Sequence, residues 1–346
     1  MEVKASHRVG IVGCGFFAPN HARGWAHLPR ATIGALCDRD EARAERLAEM
    51  LDLDVPIFNE VTAMADHVAL DFIDIITTPP SHPALIAFAA ERQLAAIVQK
   101  PMALTLPEST KMVALMRQAG LPFMVHENFR FQTPIAAVGE IVRSGEIGSP
   151  VYARIAFRTG FDIYAGQPYL AQEKRFVLAD LGVHVLDVAR FLLGEFTMLS
   201  CLTQRVKSGI AGEDMATVLC RSVSGATCII ECSYASRLPA DHFPQTLIAV
   251  EGIAGSVHLN AEYEVVVNSS SGMRRFVARP AALPWSQPPW DAVHDSVVRI
   301  QQHWLDCLES GEEPQTSGQD NLKTLALVEA AYESGESGRT VRPAPE

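Results

Sequence analysis

Arg8-Val9-Gly10-Ile11-Val12-Gly13-Cys14-Gly15-Phe16-Phe17-Ala18 is an apolar run that breaks at a pair of glycines. A short apolar segment carrying β-branched residues and ending in glycine reads as a strand. The turn after it is G-x-G-x-x-A. Gly13 suits a tight bend, Gly15 lets a pyrophosphate approach the backbone, and Ala18 allows a following helix to pack closely on the strand. The helix N-terminus then offers unpaired N–H groups and a positive dipole end to the phosphates. The stretch predicts the opening of a dinucleotide-binding fold, with Gly13, Gly15, Phe16 and Phe17 beside the cofactor.

Outward from that turn, a second strand over 32–37 ends in Asp38, which lies 25 residues beyond Gly13. A carboxylate there accepts hydrogen bonds from the adenosine ribose and repels a 2′-phosphate, which favours NAD over NADP. Arg39 beside it could stack on adenine or accept such a phosphate, and Asp38-Arg39-Asp40 also fits a solvated helix start. The alternation continues with helices over 40–51, 59–68, 83–91 and 107–119. Strands are expected over 55–58, 72–77 and 122–126, with a further one running into Ile97-Val98-Gln99-Lys100-Pro101. This pattern predicts a doubly wound parallel sheet. Right-handed crossovers place Gly13, Asp38, Thr77 and Lys100 on one rim. Lys100 precedes a proline, which holds it extended. It reads as a charge at the end of a buried strand, where such sheets bind ligands, or as an ordinary strand-end lysine.

Beyond His126 the period changes. His126, Asn128, Arg130 and Gln132 alternate with other residues, as in an extended edge with one polar face. A helix over 133–144, a linker over 145–150 and a strand over 152–159 follow, the strand placing Arg154 and Arg158 on one face. Residues 161–175 read as a loop long enough to cover a site. Next comes Asp180-Leu181-Gly182-Val183-His184-Val185-Leu186-Asp187. On one α-helix, positions 184 and 187 fall within about 40° and 20° of position 180, so two carboxylates and an imidazole line one stripe. A lone histidine on an apolar helix is usually a packing residue. A flanking anion raises its basicity and orients it for general-base work. Strands over 196–206, 216–222, 226–234, 245–251, 255–259, 262–268 and 274–278 then predict a mostly antiparallel sheet, and helices over 291–309 and 318–334 end the chain. The expected division is a Rossmann domain over residues 1–127 and an α+β domain over 128–346, whose open sheet face suits a homodimer or homotetramer.

Bulk properties narrow the function. With 48% hydrophobic and 20% charged residues, the chain suits a soluble globular protein with a sizeable core. Its net charge of −11 argues against nucleic-acid and anionic-membrane partners. No apolar run is long enough to span a bilayer. Residues 1–8 lack a signal-peptide core, so a cytoplasmic location is expected. The seven cysteines show no metal-ligand spacing and read as reduced packing residues; no metal is expected.

The whole pattern resembles the Gfo/Idh/MocA oxidoreductases, the glucose–fructose oxidoreductase and inositol dehydrogenase family. The resemblance rests on the G-x-G-x-x-A turn, Asp38, Thr77-Thr78-Pro79-Pro80-Ser81-His82 and Gln99-Lys100-Pro101, where the family usually has Glu-Lys-Pro. Ser144-Gly145-Glu146-Ile147-Gly148 and the Asp180-x-Gly-x-His184-x-x-Asp187 pattern complete it. It implies NAD(P) binding through Gly13, Gly15, Phe16, Phe17, Asp38, Arg39, Thr77, Thr78, Pro79, His82, Gln99 and Lys100. It also implies a catalytic set of Lys100, Asp180 and His184, and oxidation of a sugar or polyol hydroxyl. An aldose oxidised at C1 to a lactone is the favoured reaction, a pentose such as apiose among the candidates. Substrate contacts are expected from Lys100, Asn128, Arg158, Asp162, Tyr164, Asp180 and His184. The alternatives are an inositol, polyol or amino-sugar dehydrogenase, a non-catalytic NAD-sensing regulator, and a hydrolase working through transient oxidation.

Overall fold

The glycine turn forms because nothing larger fits it. In the computed structural model, which describes residues 6–343, β1 (His7–Val12) is buried apart from Arg8. Gly13 follows at φ +95°, where an added Cβ would lie 2.7 Å from the Thr77 backbone nitrogen. The chain then alternates through α1 (Ala18–His27), β2 (Ala31–Cys37), α2 (Glu41–Leu51), β3 (Ile57–Phe58), α3 (Val61–His67), β4 (Phe72–Ile75), α4 (His82–Glu91), β5 (Ala95–Gln99), α5 (Leu106–Gln118) and β6 (Phe123–His126). The six strands are parallel in the order β3-β2-β1-β4-β5-β6. Strand order reverses between β1 and β4, so the rim there is the crevice where such sheets hold ligands. Central strands are apolar because helices cover both faces; Asp74 in β4 is a fully buried exception. The expectation about the polar start falls, for residues 1–5, outside the described residues.

The later part of the chain carries α6 (Thr133–Arg143), β7 (Pro150–Arg158), α7 (Ile163–Gly166), α8 (Val183–Leu193), β8 (Phe196–Gln204), β9 (Met215–Ser222), β10 (Thr227–Ser233), β11 (Leu247–Gly252), β12 (Gly255–Leu259), β13 (Glu264–Ser269), β14 (Gly272–Val277), α9 (Asp291–Ser310) and α10 (Gly318–Ser337). Eight strands pair in the order β14-β13-β12-β11-β7-β10-β9-β8. All neighbours are antiparallel except β7 and β10. Side chains alternate along β9: Ala216, Val218 and Cys220 are buried, while Thr217, Leu219 and Arg221 are exposed. Helix α8 packs on the buried face at β7 and β10. All seven cysteines are buried free thiols.

Three expectations give way. No edge strand forms over 126–132: Phe129–Phe131 make a 3₁₀ turn, and His126, Asn128, Arg130 and Gln132 are buried. Two of these polar residues face inward because they meet buried partners, Asn128 donating to Ser296 Oγ at 2.6 Å and Arg130 to Asp187. The single α-helix over 180–187 is instead a π turn, Leu178–Gly182, that passes into α8. The C-terminal stretch does not stay in the second unit. One compact unit takes Met1–Glu127 with Val297–Leu322, and the other takes Asn128–Ser296 with Lys323–Glu346. Buried contacts explain the return: Trp304 meets Phe72 edge-on, Gln301 donates to the His21 carbonyl, and Thr316 donates to the Val125 carbonyl. Arg30 adds ion pairs to Asp306 and Glu309.

Candidate active site

In the first unit, the rim residues are tied to one another rather than merely adjacent. Asp38 accepts the Cys14 N–H at 2.7 Å through one oxygen and the Asp40 N–H at 2.9 Å through the other. It therefore braces the glycine turn from the end of β2, and it is Asp40 that occupies the N-cap position of α2. Arg39 is exposed. Burial, then Asp38, pushes the Cys14 and Cys37 thiols up to about 12, so neither supplies a thiolate.

The turn fits a dinucleotide. A Cβ on Gly15 would meet nothing within 4 Å, which leaves the backbone open to a phosphate, whereas Gly13 is closed in. Helix α1 has no side-chain cap, and Phe16 at its start is 73% exposed. At the end of β4, Thr77 accepts from Ser81 Oγ at 2.7 Å, with Thr78 and Pro79 opening a 3₁₀ turn. His82 is withdrawn from the cofactor set. It is fully buried, with its ring nitrogens 3.0 Å from the Thr77 and Met102 carbonyls, and it clasps the ends of β4 and β5. Burial holds its imidazole below the ordinary 6.5.

Lys100 leaves β5 through a cis bond to Pro101. Its backbone N–H donates to Gln99 Oε1 at 2.7 Å. Gln99 Nε2 lies 3.1 Å from His21 Nε2, and His21 Nδ1 lies 2.8 Å from Asp74 Oδ2, which also accepts from Trp25 Nε1 at 2.7 Å. Sequence reading missed His21, Trp25 and Asp74. A carboxylate inside the apolar β4 was the available signal, since a buried charge requires partners.

In the second unit, Asp180 stands on the π turn, a form that recurs at functional sites. Glu213 Oε1 accepts the Phe176 and Leu178 N–H groups at 3.1 and 3.2 Å. It also accepts the Tyr332 hydroxyl at 2.8 Å, while Tyr332 Oη accepts the Ala179 N–H at 3.1 Å. These bonds satisfy N–H groups at the start of the turn that no earlier helical turn can pair. Tyr234 donates to Asp180 Oδ2 at 3.3 Å. Burial, and after it Asp180, holds the Tyr234 hydroxyl well above its ordinary 10, so it stays a donor. His184 lies at the start of α8, its ring stacked on Phe129 at 4.0 Å and 4°. That contact fixes the plane of the imidazole. Asp187 serves another purpose, pairing in the interior with Arg130.

The expected substrate contacts separate into two groups. Arg158 bonds Glu231 and Ser236 at 3.3 Å, on the sheet face where Glu231 also pairs with Arg154. Asn128 is tied to Ser296. Both are therefore engaged in holding the fold. Asp162 and Tyr164 converge instead on Lys207, whose Nζ lies 3.1 Å from Asp162 and 4.2 Å from the Tyr164 ring centroid. The Tyr164 hydroxyl is buried without a hydrogen-bond partner, and burial pushes it up to about 12. Lys207 gave no sequence signal because it lies in an irregular segment after β8.

Comparison with known proteins agrees with this architecture. Residues 7–127 match the model for the oxidoreductase family with NAD-binding Rossmann fold, and residues 135–258 match a GFO/IDH/MocA C-terminal domain. A D-apiose dehydrogenase of Paraburkholderia graminis is 50% identical, covering 96% of this chain and 88% of that protein. A D-apiose dehydrogenase of Rhizobium rhizogenes is 46% identical, covering 96% of each. The crystal structure of an oxidoreductase from Agrobacterium radiobacter in complex with NAD+, L-tartaric acid and magnesium superposes with a TM-score of 0.95 at 45% identity, covering 97% of this chain and 98% of that one. The chain belongs to the Gfo/Idh/MocA family of oxidoreductases.

Proposed function

We propose that the protein is an NAD-dependent D-apiose dehydrogenase that oxidises the C1 hydroxyl of the sugar to the lactone. The observation that carries this reading is the near-full-length similarity to two D-apiose dehydrogenases. NAD+ in the Agrobacterium structure, together with Asp38 at the ribose position, supports NAD over NADP.

Gly13, Gly15, Phe16, Phe17, Asp38, Arg39, Thr77, Thr78, Pro79, Gln99 and Lys100 are the residues assigned to hold the dinucleotide, which supplies the hydride acceptor. His184 takes the proton from the substrate hydroxyl. Its ring plane is already set by Phe129, so little reorientation precedes that transfer. Asp180 orients the imidazole or shares the relay, and Tyr234 steadies the carboxylate as a neutral donor. Lys100 donates to the reacting oxygen and stabilises developing alkoxide charge. Tyr164, with its unsatisfied buried hydroxyl, and Asp162 are the remaining substrate contacts in this proposal.

The open face of the eight-stranded sheet, with Leu202 and Leu219 exposed on it, supports a homodimer or homotetramer as part of the same reading. A cytoplasmic location belongs to it as well; among the described residues, no helix is long and apolar enough to cross a membrane. The test is NADH formation at 340 nm across D-apiose, other aldoses and inositols. Highest kcat/KM with D-apiose is expected. Preference for an inositol would favour the polyol reading, and cofactor binding without turnover on any sugar would favour a sensor.

A further inference from the structure

The hydrogen bonds beneath Lys100 form a chain whose direction is fixed at both ends by groups that can only donate. At the rim, the Lys100 backbone N–H faces Gln99, so the Gln99 atom 2.7 Å away is the carbonyl oxygen. The Gln99 amide NH₂ is then turned toward His21 Nε2 at 3.1 Å, which must accept. At the inner end, Trp25 Nε1 can only donate, so Asp74 Oδ2 is an acceptor, and it receives His21 Nδ1 at 2.8 Å. Every bond points inward, from Lys100 through Gln99 and His21 to Asp74. Only a neutral His21 with its proton on Nδ1 satisfies all of them.

We infer that His21 is a positioning residue for Lys100, acting through Gln99, and that the chain works only with His21 neutral. This rests on the reading of Lys100 as catalytic. Asp74 and His21 are fully buried, so the inner part of the chain is rigid and sheltered. Gln99 and Lys100 sit at the rim. A second proton on His21 would set its Nε2–H against the Gln99 NH₂. The amide would have to turn over, and its nitrogen would then oppose the Lys100 N–H. The titratable groups in contact with the ring are Asp74 on β4, bonded to Nδ1, and His126 on β6, whose ring lies 4.0 Å from that of His21. Phe17 meets the ring edge-on, and Gln301 from α9 donates to the His21 backbone carbonyl. A neutral residue at position 99 leaves the inner ring with one anionic partner. A carboxylate there would give it two, and the second would draw a proton onto Nε2.

Nitrogen-15 histidine NMR of the full-length protein, with His21 resonances identified by their loss in His21→Ala, reads the tautomer directly. The expected wild-type spectrum has Nδ1 protonated and Nε2 unprotonated, and Gln99→Glu, which puts an acceptor where the amide donor stood, places a proton on Nε2. Gln99→Met cuts the chain without opening a buried cavity. It is expected to lower kcat on the sugar about 10–100-fold, an effect of misplacing one reacting group. An Nε2-protonated His21, or wild-type kcat in Gln99→Met and His21→Ala while Lys100→Met is inactive, would overturn the inference and leave Lys100 catalytic. Wild-type turnover in Lys100→Met would overturn the catalytic reading itself, whatever the tautomer.

Discussion

Arg130 and Asp187 form a bidentate ion pair in the interior of the second unit, Nε to Oδ2 at 2.7 Å and Nη2 to Oδ1 at 2.5 Å, with Asp187 fully buried. Thr324 donates to the same carboxylate at 3.0 Å and accepts from Arg190 at 2.8 Å. The motif that carries His184 thus also carries the anchor for its helix. Removing one partner strands a buried charge. Asp187→Ala is expected to cost about 3–5 kcal/mol of stability, and the paired replacement Asp187→Leu with Arg130→Met less than either single change. Urea midpoints measure this. A variant Asp187→Ala that keeps its midpoint but loses turnover would make Asp187 a catalytic group instead.

Lys100 and His184 should fail in different ways. Lys100→Met removes a charged donor whose contribution is typically ~3–4 kcal/mol, or about 10²–10³-fold in kcat. His184→Ala removes the proposed general base and should cost about 10²–10⁴-fold. The loss should shrink as pH rises and the substrate hydroxyl ionises unaided. Steady-state kinetics over pH 6–10 distinguish the two. Equal, pH-independent losses would place both residues in binding rather than proton transfer.

Residues whose spacing is set by backbone mechanics could be read directly. The G-x-G-x-x-A turn, the strand ends at Asp38, Thr77 and Lys100, and the alternation along β9 follow from local periodicity. What escaped was pairing at long range. Arg130 looked like part of a solvent-facing edge because its partner Asp187 is 57 positions away. His21 and Asp74 are 53 apart and joined only once the sheet forms. The π turn escaped for a related reason. Its first N–H groups are satisfied by Glu213 and Tyr332 from distant parts of the chain, which no helical period records. His82 shows the converse: its place in a recognisable segment suggested the cofactor, while its ring is turned inward onto two carbonyls.

The two glycines of the turn should separate folding from binding. Gly13→Ala places a Cβ 2.7 Å from Thr77 N and 2.8 Å from the Ile76 carbonyl carbon, at φ +95°. It should destabilise the first unit by about 1–3 kcal/mol, a typical range for such strain, and weaken NAD binding with it. Gly15→Ala meets nothing within 4 Å, so its thermal midpoint should stay within about 1 °C of wild type, since surface changes away from special features are small. Its NAD Kd should nevertheless rise about 10-fold or more, because the methyl stands where the phosphate approaches. Calorimetric titration with NAD alongside thermal melts tests the pair. Unchanged NAD affinity in Gly15→Ala would move the phosphate elsewhere on the rim.

His82 makes stability depend on pH in a calculable direction. A neutral imidazole can donate to only one of the two carbonyls at 3.0 Å, yet burial outweighs what a second bond would add, and the ring is held below 6.5. Above about pH 6.5 the ring is neutral in both folded and unfolded chains and contributes no pH dependence. As pH falls through 6.5 the unfolded chain binds a proton that the folded one refuses, so stability is lost. The slope from this residue reaches at most about 1.4 kcal/mol per pH unit until the folded ring itself titrates. His82→Asn keeps a hydrogen-bonding side chain without the titration. Melts of wild type and His82→Asn from pH 7.5 to 5 should converge as pH falls, the wild type losing more. Parallel curves would show that His82 shares its proton equally in both states and that the acid sensitivity of this rim arises elsewhere.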